Sequence, residues 1–322
     1  MAKRSFRIAG WLLILSSFVF LSGCAHKAPI EQPTGSYLED IYATANTNPD
    51  VEMFNSAMPP YLQYMDNLIL PVSPDLLYYR LSGAYYGYAF CFVEDTDKKE
   101  ASSLYLKGRD YSLTELKRYR IFFTALTYES TILEFKASLP ASFDKKHIQG
   151  LYWAAMNWAG WINLNLATPE AVADIPKVEA MLEFVIQLDG SYNGGSAYAA
   201  LGALHASRTK EQGGNPERAK DEFDAAFTYS GNSILLFHVM YAQYYAVQTQ
   251  DKELFRKTLT TVLETPANTY PDKTFMNEVA RKKAKVLLDN IDKYFKPVEI
   301  KKPAEIQKTE ESVTTPQPSE TK

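Results

Sequence analysis

The apolar residues in the middle of the chain recur at the spacing of α-helices. The pattern i, i+3, i+4, i+7 places side chains on one helix face, and it is followed by Val178, Met181, Leu182 and Val185. The segment 151–166, LYWAAMNWAGWINLNL, is apolar nearly all round, and such a helix needs neighbours on several sides. No comparable stretch alternates as a strand does. The sequence therefore predicts an all-α fold.

Short polar motifs mark where several of these helices begin. Thr168–Glu170 and Asn215–Glu217 each combine a capping side chain, a proline in the first turn and an acid that faces the positive end of the helix dipole. Residues 73–75, Ser-Pro-Asp, repeat the device. Ser112 with Glu115 three residues later has the form of a capping box. We therefore predict helix starts at all four places.

Two segments match part of the tetratricopeptide pattern, in which a glycine of the first helix is followed by A-x3-F on the second. Gly202 precedes Ala219 and Phe223 in this way, and Gly83 precedes Tyr105 similarly. The loops are longer than in the standard repeat of about 34 residues. We predict helical hairpins of tetratricopeptide-like repeats packed into a single superhelical or bundle body. An irregular bundle with chance matches is the alternative.

The first 24 residues have the plan of an export signal. Cations at positions 3, 4 and 7 precede the apolar run Ile8–Phe20, which is too short to span a bilayer. The run ends at Leu21–Cys24, which resembles the lipobox of bacterial lipoproteins. This likeness predicts cleavage before Cys24 and acylation of its thiol, and two or more acyl chains anchor a protein stably. The alternative is an ordinary signal peptide with a bystander cysteine.

Composition divides the chain into four parts. We predict a lipoprotein signal peptide at 1–23, a lipidated polar tether at 24–36, an all-helical body at 37–295 and a disordered tail at 296–322. The tail repeats Lys, Glu, Pro, Ser and Thr, and such a stretch buries too little apolar area to offset the entropy of ordering it.

Charge and cysteine content exclude several classes of function. Removal of residues 1–23 lowers the formal charge from −4 to −7, which argues against a nucleic-acid partner. Cys91 is the only cysteine besides Cys24, and its apolar neighbours predict a core residue.

Motifs for catalysis are missing from the sequence. The four histidines are isolated, and no H-E-x-x-H, G-x-S-x-G or P-loop motif occurs. We therefore predict no enzymatic activity, no metal and no cofactor. A hydrolase of unfamiliar type stays an alternative, because absent motifs are weak evidence.

Aromatic residues cluster on two of the predicted helices. Trp153, Trp158 and Trp161 lie on one, and Tyr241, Tyr244 and Tyr245 lie on another. These rings either fill the space between hairpins or line a pocket for a small ligand. The tryptophan helix also carries two amides, which must find partners at a neighbouring helix or on a ligand; they are Asn157 and Asn163.

The order and spacing of several segments across residues 75–295 resemble one family, the T component of tripartite ATP-independent periplasmic (TRAP) transporters, often called TatT. The segments are Leu151–Trp153 with Trp158 and Trp161, Leu188–Tyr192, Leu201–Gly202, Gly213–Ala219, Phe223, Tyr241–Ala242, Asp251, Phe255, Leu259, and Asn277, Ala280, Arg281, Ala284, Leu287 and Leu288. The tail after Phe295 and the segment 40–68 show no such likeness.

The resemblance implies a lipid-anchored accessory protein that forms homotrimers. It would dock the periplasmic substrate-binding subunit and hold or relay a small hydrophobic or carboxylated ligand in a helical cavity. An arginine fork suits a carboxylate. The candidate cavity residues are Trp153, Asn157, Trp158, Trp161, Tyr192, Arg208, Tyr241, Tyr245, Asn277 and Arg281.

The same resemblance predicts a place on the periplasmic face of a bacterial membrane. Ala25 follows Cys24 where an aspartate would favour retention at the inner membrane, so the outer membrane is favoured. The alternative function is that of a scaffold lipoprotein in an envelope assembly or secretion machine, because tetratricopeptide solenoids bind extended peptides along a concave face.

Overall fold

The described part of the chain is built from helices. A computed structural model describes residues 44–69, 75–127 and 130–295, and no strand occurs within those ranges. The prediction of an all-α fold is confirmed. The predicted signal peptide, tether and tail, with Cys24, lie outside the described residues, as does the start proposed at residues 73 and 74.

Helices follow one another through short connections. They are α1 (Val51–Leu68), α2 (Asp75–Tyr88), α3 (Lys98–Leu116), α4 (Arg120–Ala125), α5 (Ile132–Ser142), α6 (Ile148–Leu164), α7 (Pro169–Asp189), α8 (Ser196–Ala206), α9 (Pro216–Ser230), α10 (Leu235–Met240), α11 (Lys252–Glu264) and α12 (Thr274–Asp289). Two segments are π-helical. The first π-helical segment, Ala89–Val93, continues α2, and the second, Tyr241–Ala246, continues α10.

Two of the predicted helix starts are present with the expected caps. The Thr168 hydroxyl accepts a hydrogen bond from the backbone N–H of Ala171 at 3.3 Å, at the start of α7. The Asn215 side chain accepts one from Arg218 N–H at 3.0 Å, at the start of α9. Both prolines occupy the first turn, where a missing N–H costs nothing.

The start predicted at Ser112 is wrong. Ser112 and Glu115 are buried near the end of α3. That helix begins instead after Asp97, whose side chain accepts a hydrogen bond from Glu100 N–H at 2.9 Å. The uninterrupted helix through residue 112 leaves no free N-terminal N–H groups there for a capping box to satisfy.

One of the two predicted repeat contacts is present. A Cβ added to Gly202 of α8 would lie 2.8 Å from the ring of Phe223 on α9, so the glycine permits this hairpin to close tightly. The second contact is not formed, because Gly83 faces the Trp153 ring and Tyr105 covers Gly160. The tetratricopeptide-like pairing is therefore found in the α8–α9 hairpin.

The α7–α8 connection needs three left-handed residues in succession. Asn193, Gly194 and Gly195 have φ values of 48°, 65° and 80°, a region that glycine and asparagine enter most readily. A Cβ on Gly195 would also lie 2.8 Å from Cβ of Tyr229. The segment is thus a tight helix connection.

The tryptophan helix α6 lies at the centre of the body. It packs against α2, α3 and α7, and its buried residues include Leu151, Asn157 and Ile162. Trp161 packs against two hydrophobic cores, one formed mainly by α4–α8 and the other mainly by α8–α12 with the first π-helical segment. The helix is buried on several sides, as its composition predicts.

Candidate ligand cavity

The two π-helical segments contribute to one cavity. In the first, the backbone N–H of Glu94 donates to the carbonyl of Ala89 at 2.9 Å, five residues back. Such widened turns are frequent at functional sites. Phe90 comes from the first segment, and Gln243 and Tyr244 come from the second. Together with α2, α3, α6 and α8 they surround a space of about 250 Å³.

One wall of the cavity carries a buried ion pair. Glu94, which lines the cavity, accepts a hydrogen bond from the Tyr105 hydroxyl at 2.6 Å and one from the Lys283 ammonium at 3.0 Å. The same ammonium donates to Asp95 at 2.7 Å. Burial raises the pKa of Glu94, and the attraction of Lys283 only partly offsets this effect.

Lys283 reaches this wall from the apolar face of α12. Its neighbours on that face, Val279, Ala280, Ala284 and Leu287, are buried. Burial lowers the pKa of Lys283, but the two carboxylates outweigh burial and the net pKa is raised. The ammonium also lies 4.7 Å from the ring centroid of Phe90, so the cation has an aromatic partner besides its two carboxylates.

Tyrosine hydroxyls, the amides of Asn163 and Gln243, and Lys98 supply the remaining polar groups. Tyr86 packs 5.7 Å from Tyr105, between ring centroids, and burial raises the pKa of both phenols. Burial also raises the pKa of Tyr244. The Oδ1 atom of Asn163 is buried and has no hydrogen-bond partner among the described residues.

Three helices contribute an apolar part of the lining. It consists of Met156, Ala159, Gly160 and Leu164 of α6, Ala200 and Ala203 of α8, and Met240 of α10. A site with one apolar wall and a few fixed polar groups is the usual form of a pocket for a small organic ligand.

The ten candidates chosen from the sequence all lie within the described ranges, and none of them lines this cavity. Trp153 packs against a lining residue, since its ring centroid lies 5.8 Å from that of Tyr86. Trp158 donates its Nε1–H to Asp174 at 3.0 Å and lies under the Arg109 guanidinium. Trp161 packs between the two cores.

The two candidate amides bridge helices. Asn157 donates to the Ser82 carbonyl at 3.1 Å and to the Trp153 carbonyl at 2.9 Å. Asn277 accepts from the backbone N–H of Leu235 at 3.0 Å and donates to the Ser233 carbonyl, so it caps α10 from α12. Both residues are fully buried.

The two candidate arginines are held by protein groups. Arg208 pairs with Glu179 at 2.8 Å. Arg281 donates to the carbonyls of Leu263 and Thr265 at 2.5 and 2.8 Å, where it satisfies the C-terminal end of α11.

The three candidate tyrosines pack against other rings. Tyr241 stacks on Tyr245 at 4.8 Å and meets Phe223 edge-on at 5.3 Å. Tyr192 meets Tyr152 edge-on at 5.2 Å. The role of these ten residues in ligand binding stays a prediction.

Sequence reasoning missed most of the cavity's polar groups, although three of them leave a signal. Lys283 interrupts an otherwise apolar helix face, and a lysine there needs a buried partner. Glu94 and Asp95 follow the apolar run YAFCFV directly. Asn163 was recognised as an amide in need of a partner, and it does line the cavity.

Cys91 is a free thiol that packs against the second core. Burial raises its pKa to about 12, so the thiol stays protonated at neutral pH and is a poor nucleophile. This agrees with the prediction of a core residue. Among the described residues, no group of three His, Cys, Asp or Glu side chains is arranged to hold a metal ion.

Helices within the described ranges are either too short or too polar to cross a bilayer. No curated protein matches the chain. A family model described as TRAP transporter T-component matches residues 47–295, which confirms the resemblance and extends it over 47–68, where sequence analysis found none. Since this match covers well over half of the sequence, the chain belongs to the TRAP transporter T-component family.

Proposed function

We propose that this protein is a lipid-anchored accessory component of a TRAP transporter that docks the substrate-binding subunit and holds a small ligand in the cavity between the two π-helical segments. The family assignment supports the transporter role. The observation that carries the ligand-holding role is the cavity itself, whose polar wall is a buried network of Glu94, Tyr105 and Lys283.

The anchor is part of the same proposal. Acylated Cys24 would hold the body at the periplasmic face of a membrane, with the outer membrane favoured. A homotrimer, as the resemblance implies, would present three such cavities. No catalytic step is included, because the family description names a transporter component.

Capture from intact cells tests the docking role. The tagged full chain is cross-linked in its native host, purified from membranes and analysed by mass spectrometry. We expect a substrate-binding subunit of a TRAP transporter in stoichiometric yield. Recovery of an outer-membrane barrel or a secretion subunit in its place would overturn docking and favour the assembly scaffold, and no reproducible partner would also count against it.

A further inference from the structure

We propose that the cavity selects an uncharged amphipathic ligand with a hydrogen-bond donor, a hydroxyl or a primary amide, over a carboxylate of the same size. This inference rests on the ligand-holding part of the proposed function. Three features of the wall carry it: an acceptor without a partner, the balance of charge, and the absence of a buried free cation among the described lining residues.

The acceptor is the Oδ1 atom of Asn163. It is buried, and no described residue donates to it. A buried acceptor without a donor is unfavourable. A ligand hydroxyl or N–H would satisfy it, whereas a carboxylate has no proton to give.

The charges on the wall are already paired. Each oxygen of Glu94 accepts a bond, one from Lys283 and one from Tyr105, and Asp95 shares the same lysine. An incoming carboxylate would therefore lie beside two carboxylates whose counter-ion is engaged. An incoming ammonium would find both oxygens of Glu94 engaged. Asp95 also lines the cavity, but it shares its charge with Lys283 and is exposed to solvent, where water weakens the attraction. The wall thus favours a ligand without charge.

No arginine is among the described residues that line the cavity, and Lys98 is the lining lysine. Lys98 is exposed to solvent, where its attraction for a carboxylate is weakened by water. The arginines that could form a fork, Arg208 and Arg281, are engaged elsewhere. A bidentate carboxylate clamp is therefore not available at this site.

The apolar wall and the volume define the rest of the ligand. Met156, Leu164 and Met240 would contact an alkyl or ring portion. A cavity of about 250 Å³ is slightly smaller than the roughly 300–1,000 Å³ usual for drug-sized ligands. The ligand is accordingly small.

The test compares four probes of equal chain length: 1-hexanol, hexanamide, hexanoate and hexylammonium. Their binding to the full chain in detergent micelles is measured by saturation-transfer NMR titration. The blank is Leu164→Trp, because the larger side chain fills the cavity from a partly exposed position. If this variant does not fold, micelles without protein serve as the blank. Asn163→Leu removes the unpartnered acceptor at similar volume.

We expect 1-hexanol and hexanamide to bind about tenfold or more tightly than hexanoate or hexylammonium. In Asn163→Leu the first two should lose about tenfold in affinity, while hexanoate is unchanged. If Asn163→Leu does not fold, the order of the four probes on the unmodified chain decides the matter alone.

Two negative results have different meanings. If hexanoate or hexylammonium bound the unmodified chain as tightly as 1-hexanol and did not bind Leu164→Trp, the proposed ligand class would be wrong. The cavity would still be the binding site. If no probe bound the unmodified chain better than the blank, the ligand-holding function itself would fail, and the inference with it.

Discussion

The Nζ atom of Lys283 lies 3.0 Å from Oε1 of Glu94 and joins two segments that are 189 residues apart in the sequence. The lysine belongs to α12, and the glutamate follows the first π-helical segment directly. Both side chains are almost fully buried. The ion pair therefore ties the last helix of the body to the wall of the cavity.

Loss of the lysine should destabilise the fold strongly. In Lys283→Met, Glu94 stays buried without its counter-ion, and we expect the free energy of unfolding to fall by about 3–5 kcal/mol. The double variant Lys283→Met/Glu94→Gln should recover much of this loss, since no charge is left uncompensated. Urea denaturation measures all three chains.

Lys285→Met is the matched control for that experiment. Lys285 pairs with Asp289 on the exposed side of α12, and its loss should change stability by less than about 0.5 kcal/mol. Equal effects of the two lysine substitutions would contradict a special role for the buried pair.

Substitution of two glycines by alanine should change stability in opposite directions, because Gly202 contacts Phe223 and Gly87 faces open space. Gly202→Ala would push a methyl group into a fully buried ring, and we expect a loss of about 1–3 kcal/mol. Gly87→Ala meets no atom within 4 Å, so the better helix former should stabilise α2 by about 0.5–1 kcal/mol. Thermal melts that shifted in the same direction for both variants would refute this account of the hairpin.

His205 should make stability depend on pH. Its Nδ1 atom lies 2.6 Å from Glu222, its Nε2 atom lies 3.5 Å from Glu179, and these carboxylates also pair with Arg218 and Arg208. Burial lowers the pKa of His205, but the two carboxylates outweigh it and the folded-state pKa is raised. The protonated ring is therefore stabilised in the fold.

The raised pKa of His205 determines how its contribution to stability changes with pH. The contribution of His205 is fully present below its unfolded pKa of about 6.5 and is lost as pH rises through the folded pKa. His205→Gln should remove this alkaline decline in urea denaturation at pH values from about 5.5 to about 9. His238 is the control, because burial lowers its pKa, so its contribution is lost as pH falls. Parallel pH curves for His205→Gln and the unmodified chain would contradict the prediction.

Cys24→Ser should release the protein from membranes, because the acyl chains would have no thiol to occupy. Cys91→Ala is the control and should leave the protein in the membrane fraction. Cell fractionation with immunoblotting distinguishes the two. A membrane-bound Cys24→Ser chain would show that the anchor lies elsewhere.

Features of the fold set by neighbouring residues could be predicted from the sequence. The caps at Thr168 and Asn215 act within three residues of themselves, so their motifs predict the helix starts directly. The apolar circumference of α6 likewise indicates a helix buried on several sides. The prediction at Ser112 was wrong because a serine followed three residues later by a glutamate occurs both in capping boxes and in the interior of helices.

The cavity could not be predicted in the same way. Glu94, Asn163 and Lys283 come from separate parts of the chain, and only the fold brings the end of the first π-helical segment, α6 and α12 together. Tryptophan and arginine were chosen as candidates because their side chains can bind a ligand. The Trp158 and Arg281 side chains, however, donate their hydrogen bonds to Asp174 and to the end of α11. A side chain can bind a ligand only if other protein groups do not already occupy its hydrogen-bond donors and acceptors.

Each π-helical segment holds one residue more than an α-helical turn would need. Deletion of a single codon within Ala89–Val93 would restore ordinary α geometry, and everything before the deletion would rotate by about 100° relative to everything after it. Glu94 could then no longer face the cavity while Tyr86 kept its place. The cavity is thus a product of chain length at two points, and in-frame loss of one amino acid other than Phe90, Gln243 or Tyr244 could erase it without changing any residue that lines it.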